Sequence, residues 1–198
     1  MSISSPRAIA ATIVVIVSGG GVFLILPVFV GALVDTGGLS MAQAGAVASA
    51  DLAGIFAAAI AALAWIRRVD WRRVALFSLA CMVAGNAACP WIDGYVPLLI
   101  LRGLLGFAAG NLMAIGIAHL ARVAIPDRAF ALAIAAQVAF STIALWLMPV
   151  AVHSWCLASL FGLLAGLSAI GLLAATQLVR GTEAIVPGTL GKASGSLH

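Results

Sequence analysis

Long apolar runs separated by short polar gaps constrain this chain more than any other feature. The runs are Ala8–Val34, Met41–Ile66, Val74–Cys89, Val96–Ala121, Ala129–Val152 and Trp155–Val179. A helix needs about 20 apolar residues to cross a hydrocarbon core, and most of the runs reach that length. The gaps carry breakers or polar residues: Asp35–Ser40 with Gly37 and Gly38, Pro90–Tyr95, Ile125–Arg128 with Pro126, and a turn at His153–Ser154. Links this short imply antiparallel neighbours in a bundle. The third run is short, and the fifth and sixth nearly fuse. Composition agrees with the reading. Hydrophobic residues make up 64% of the chain and charged residues 8%, against roughly 45–50% and 25% in an ordinary soluble domain. The expectation is an all-α integral membrane protein, a bundle of six transmembrane helices over residues 1–180. Residues 181–198 read as a flexible cytoplasmic tail or the start of a linker, since Pro187 and several Gly and Ser replace the apolar pattern.

The net charge of +4 does not mark a nucleic-acid binder. A nucleic-acid footprint needs a continuous basic face on a soluble domain. Here Arg67, Arg68, Arg72 and Arg73 occupy one short gap, and most of the other basic residues lie in similar gaps or at the ends. With six spans, Arg7, this four-arginine gap, Arg122 with Arg128, and Arg180 with Lys192 fall on one side. The opposite gaps hold Asp35, Asp93 and His153 without Lys or Arg. The excess of basic residues on one side predicts that both termini are cytoplasmic. A bacterial inner membrane is the expected location. Arg7 and the small residues Ser18–Gly21 imitate a secretory leader, but the apolar run continues through Val34 and reads as a retained first span.

Ionisable residues at membrane depth are costly, and they face a bundle interior or a cavity. Two strongly charged residues lie well inside runs: Asp51 in the second and Arg102 in the fourth. At 1.5 Å per residue they lie roughly 15 Å and 9 Å from the same face, a difference that an arginine side chain can bridge. They either pair, or Arg102 snorkels to the headgroups while a cavity solvates Asp51. Gly106 and Gly110 follow Arg102 at four-residue spacing and permit close helix approach; Gly162 and Gly166 repeat the pattern in the sixth run. Asn111 lies on the far side of its helix from Arg102 and suits interhelical hydrogen bonding and close packing. Gln137 is a candidate for either packing or substrate contact, with Ser141 and Thr142 nearby. His119 lies near a span end and reads as interfacial. Gly19–Gly21 and Pro27 could loosen the first span and free carbonyl groups toward a cavity.

Catalytic patterns do not emerge. Ser18 and His119 lack the motif and matching depth of an intramembrane serine protease. No two His or acidic residues recur at metal-ligand spacing, and Cys81, Cys89 and Cys156 form no CxxC pair. The expectation is a non-enzyme with no cofactor and no metal.

Three features resemble the N-terminal half of a major facilitator superfamily transporter: six spans with both ends inside, the Arg67-Arg68-Val69-Asp70-Trp71-Arg72-Arg73 gap, and Leu101-Arg102-Gly103-Leu104-Leu105-Gly106 through Gly110. The approach to the second span, Leu39–Gly45, is also similar. The resemblance covers roughly residues 8–180. The gap departs from the family's Gly-x-x-x-Asp-Arg-x-Gly-Arg-Arg-like motif, with arginines at the usual Asp position and no glycine. An antiporter-type Gly-Pro signature survives at most as Ala144–Pro149. These departures give no support to drug/proton antiport and leave the substrate open.

The resemblance implies secondary, alternating-access transport of a small molecule, with helices one, two, four and five lining the cavity. Asp51, Arg102 and Gln137 are the candidates for substrate or proton coupling. Arg102, Gly106, Gly110 and the four gap arginines are the structural motif. Because the family places its site between two six-helix halves, the implied partners besides lipid and substrate are a second copy or a second half. A truncated fragment, or a non-transporting assembly or regulatory subunit, is the alternative.

Overall fold

The computed structural model describes residues 4–155 and 157–178, with side chains described outside 149–155. The expected 181–198 tail, Cys156 and the side chain of His153 lie outside the described residues. Those residues form seven helices: α1 (Pro6–Leu24), α2 (Leu26–Asp35), α3 (Met41–Trp65), α4 (Trp71–Ala88), α5 (Tyr95–Leu120), α6 (Pro126–Trp155) and α7 (Leu157–Ala175). A 3₁₀ turn, Cys89–Trp91, extends α4. Six stretches are long and apolar enough to cross a membrane, and α2 continues the first of them. The architecture is an all-α integral membrane bundle.

Local chemistry starts and stops these helices. Pro6 opens α1, where its missing N–H would have no helical partner, and the Ser5 hydroxyl accepts from the Ala8 N–H at 3.2 Å. Ser40 and Gln43 form a reciprocal capping box on α3, with bonds of 3.0 and 3.2 Å. Gly38 adopts φ +66° in the turn between α2 and α3, a conformation that a side chain disfavours. Asp70 caps α4 by accepting from the Arg72 N–H at 3.0 Å.

Several boundaries differ from the sequence reading, among them the start of α6, at Pro126 and not Ala129. The first run is two helices, broken at Ile25 (φ −118°, ψ 21°). Pro27 lacks the N–H that would bond the Phe23 carbonyl, and the Leu24 carbonyl beside the break accepts instead from the Ser141 hydroxyl of α6 at 2.6 Å. A freed carbonyl was expected, but its receiver on another helix was not. The third span starts at Trp71 rather than Val74, because Asp70 supplies a cap, and the 3₁₀ turn carries it to Trp91. The turn at His153–Ser154 does not form. Neither residue is a helix breaker, and α6 runs unbroken through Trp155, which therefore ends α6 instead of opening the sixth span.

Helix α5 is the hub, packing on α1, α3 and α4. The main core gathers Phe29, Leu79, Leu112, Leu160 and Phe161, all fully buried; the rings of Phe29 and Phe161 meet edge to face at 6.3 Å. Helix α6 presents most of its surface outward, with Ile134, Val138 and Trp146 exposed. Such a surface suits lipid and not water.

Candidate functional site

Asp51 and Arg102 meet at the centre of the α3–α5 contact. One Arg102 terminal nitrogen donates to the Asp51 carboxylate, forming a buried ion pair. The other donates to Asn86 Oδ1 on α4 at 2.8 Å. The guanidinium carbon also lies 5.2 Å from the centroid of the Phe29 ring on α2. Four helical segments thus converge on one cation. Asp51 is 1% exposed and Arg102 2%, so Arg102 does not snorkel and no open cavity solvates Asp51.

The energetics explain this company. Removing two ions from water costs several kcal/mol per ion after relaxation, and direct pairing with further hydrogen bonds offsets that cost. A desolvated cation over an aromatic ring contributes about 2 kcal/mol more. One nitrogen is left over: Arg102 Nε has no hydrogen-bond partner among the described residues.

The glycine stripe positions the pair. A Cβ on Gly106 would collide with the Asp51 carbonyl group, and one on Gly110 would lie 2.6 Å from the Ile55 carbonyl oxygen and 2.7 Å from the Ala58 Cβ. Gly54 on α3 reciprocates, since its Cβ would strike the Gly103 carbonyl and the Phe107 N–H. The two backbones are therefore nearly in contact, so that the short Asp51 side chain reaches Arg102 directly. By contrast, Gly162 and Gly166 meet nothing within 4 Å among the described residues, and the close approach on α7 is at Gly171, against Ser18.

Gln137 does not join this network. It lies on α6, its amide reaches its own Ala133 carbonyl at 3.4 Å, and it lines a separate pocket of about 290 Å³ with Leu24, Ser141 and Thr142. Asn111 was expected to bond between helices. Instead its buried Oδ1 has no partner among the described residues, because the helix face that carries it meets small and apolar groups.

His119 lies in the last turn of α5, at the span end, but its ring is packed inside the bundle. It is 1% exposed, and its Nδ1 lies 2.9 Å from the Thr12 hydroxyl, which is itself 2.8 Å from the Ala8 carbonyl. Gly116 admits the Ile16 side chain one turn away, so α1 approaches closely enough to bury the ring.

Of the four gap arginines, Arg67 and Arg68 are exposed, and Arg73 is 3.8 Å from Asp70 with its side chain 87% exposed. The ordered part of the gap is Trp71. It is buried, donates Nε1–H to the Ile66 carbonyl at 2.6 Å, and lies under Arg122, whose guanidinium carbon is 4.4 Å from the ring centroid. Sequence reasoning missed Asn86, Gly54 and Trp71. Asn86 was visible as a lone amide in an apolar run, and Gly54 as one of a small-residue series with Ala50 and Ala58.

No curated protein matches the chain. The family described as uncharacterised MFS-type transporter YbfB matches residues 15–134, more than half of the chain. The matched stretch contains Asp51, Asn86, Arg102 and the glycine stripe, as well as the four-arginine gap. The chain belongs to this family of major facilitator superfamily transporters.

Proposed function

We propose that the chain is one six-helix half of a secondary, alternating-access transporter for a small molecule, with the Asp51–Arg102 pair as its coupling element. The observation that carries this reading is the buried ion pair, held by Asn86 and Phe29 from two further helical segments. Burying a charge pair is a poor way to gain stability. It becomes useful when a ligand or proton can change the partner of one member, because four segments then repack together. In this reading Asp51 accepts a proton or a cationic group, Arg102 is released toward an anionic one, and the α3–α5 seam shifts. Gln137, beside Ser141 and Thr142, contributes a polar contact on the α6 wall.

The second half is another copy, a partner of like architecture or a further segment of a longer chain. In mild detergent the transporting species is expected to be a homodimer or a complex with that second half. A strictly monomeric protein that moves substrate in liposomes would contradict the half-transporter reading.

The proposed setting is a bacterial inner membrane with both termini in the cytoplasm. Its support is the single basic end of the bundle, where Arg122 stacks on Trp71 and the Ser4 hydroxyl accepts from the Ala124 N–H at 3.0 Å. In a variant lacking the native cysteines, Arg68→Cys is expected to react with an impermeant thiol reagent only from the cytoplasmic side, and Asp93→Cys only from the outside. Labelling of both from one side would overturn the alternation.

A further inference from the structure

A groove of about 810 Å³ runs along the outer seam of α4 and α5. Phe77, Leu104 and Phe107 form exposed walls, and its floor is small: Ser78, Gly85 and Ala108. From Arg73 to Gly85 the groove follows α4 for roughly 18 Å, slightly more than half of a hydrocarbon core of about 30 Å. Arg73 lies at the mouth with its side chain almost fully exposed, and its contact with Asp70 is a loose 3.8 Å. Asp70 also caps α4. The basic gap supplies Arg72, Arg67 and Arg68 around the same end.

We propose that this groove binds one anionic phospholipid, with the phosphate on Arg73 and an acyl chain laid between Phe77, Leu104 and Phe107. Charge complementarity favours this occupant. Basic side chains at the end of a span attract anionic headgroups, and the length and apolar lining below Arg73 match a single leaflet. A second copy fits poorly, because copies inserted with the same orientation and related by a two-fold axis along the membrane normal would bring Arg73 against Arg73. Asn111 also lines the groove, and its Oδ1 lacks a partner among the described residues. It lies about 15 Å from the Ala121 end of its helix, below the headgroup region. An acyl chain passes it without needing it, whereas a partner helix would use it for a hydrogen bond.

The test is a melting-temperature titration of the detergent-purified chain with phosphatidylglycerol, with phosphatidylcholine of the same acyl chains, and with inorganic phosphate. A ligand that binds the folded state raises the melting temperature. Phosphatidylglycerol is expected to give a rise of several degrees, more than twice that of the other two. Arg73→Gln should abolish the preference for phosphatidylglycerol. Ala84→Phe, which fills the groove from an exposed lining position, should remove the rise while leaving the lipid-free melting temperature in place. Asn111→Leu should keep the rise. Equal rises from either control, a preference that survives Arg73→Gln, or a rise that survives Ala84→Phe would overturn the site. Loss of the rise in Asn111→Leu would assign the groove to a polar ligand or a partner helix. If Ala84→Phe does not fold, native mass spectrometry decides: one phosphatidylglycerol retained by the wild type and none by Arg73→Gln supports the site, and equal retention overturns it.

Discussion

Replacing Gly106 by leucine is expected to force α3 and α5 apart and to lower the stability of the bundle by at least about 3 kcal/mol. Overpacking a core usually costs about 1–3 kcal/mol because side chains can yield. At Gly106 the obstruction is the backbone of Asp51, which cannot move without moving α3. Even Gly106→Ala should destabilise, by less. Gly162→Leu is the control, since no described atom lies within 4 Å of a Cβ there, and it should melt close to wild type. Thermal denaturation in detergent reads all three. Wild-type melting of Gly106→Leu would contradict the close α3–α5 approach.

The second large effect concerns the ion pair. Asp51→Asn leaves Arg102 buried with Asn86 and the Phe29 ring, and Arg102→Gln leaves Asp51 buried without a cation. Breaking a buried pair from one side costs about 3–5 kcal/mol. The double variant Asp51→Asn/Arg102→Gln removes both charges, and its loss should fall short of the sum of the single losses by about 0.5–3 kcal/mol. The cycle is read as thermal stability in detergent. Strictly additive losses would mean that the two residues do not interact, whatever their separation.

The class of fold was legible because hydropathy is a local property: each span announces itself in a window of about 20 residues. Asp51 and Arg102 were also legible, as charges at membrane depth demand partners. What could not be read was which partner. Snorkelling and pairing are equally consistent with a lone arginine in an apolar run; the choice rests on how closely α3 approaches α5, and that depends on Gly54 facing Gly106 across the helix interface. Asn86 was missed for the same reason, since its bond to Arg102 joins helices by a geometry that periodicity does not encode. His119 reads as interfacial from its position near a span end, a position that does not tell whether the ring is packed inside the bundle. Its burial follows from Thr12, a partner 107 positions away in sequence. The unbroken α6 shows the opposite error, a polar dipeptide read as a turn although nothing in it stops a helix.

Uptake into proteoliposomes tests the central claim, that transport runs through the Asp51–Arg102 pair, most directly. The chain, reconstituted together with whatever second half co-purifies with it, is offered the small-molecule extract of the expression host, and the lumen contents are read by mass spectrometry. The wild type is expected to enrich at least one compound. The double variant Asp51→Asn/Arg102→Gln, matched to the wild type for folded protein, is expected to lose at least nine-tenths of that enrichment even though its loss of stability is less than additive. Undiminished enrichment by the double variant, or none by a folded, fully assembled wild type, would contradict the account.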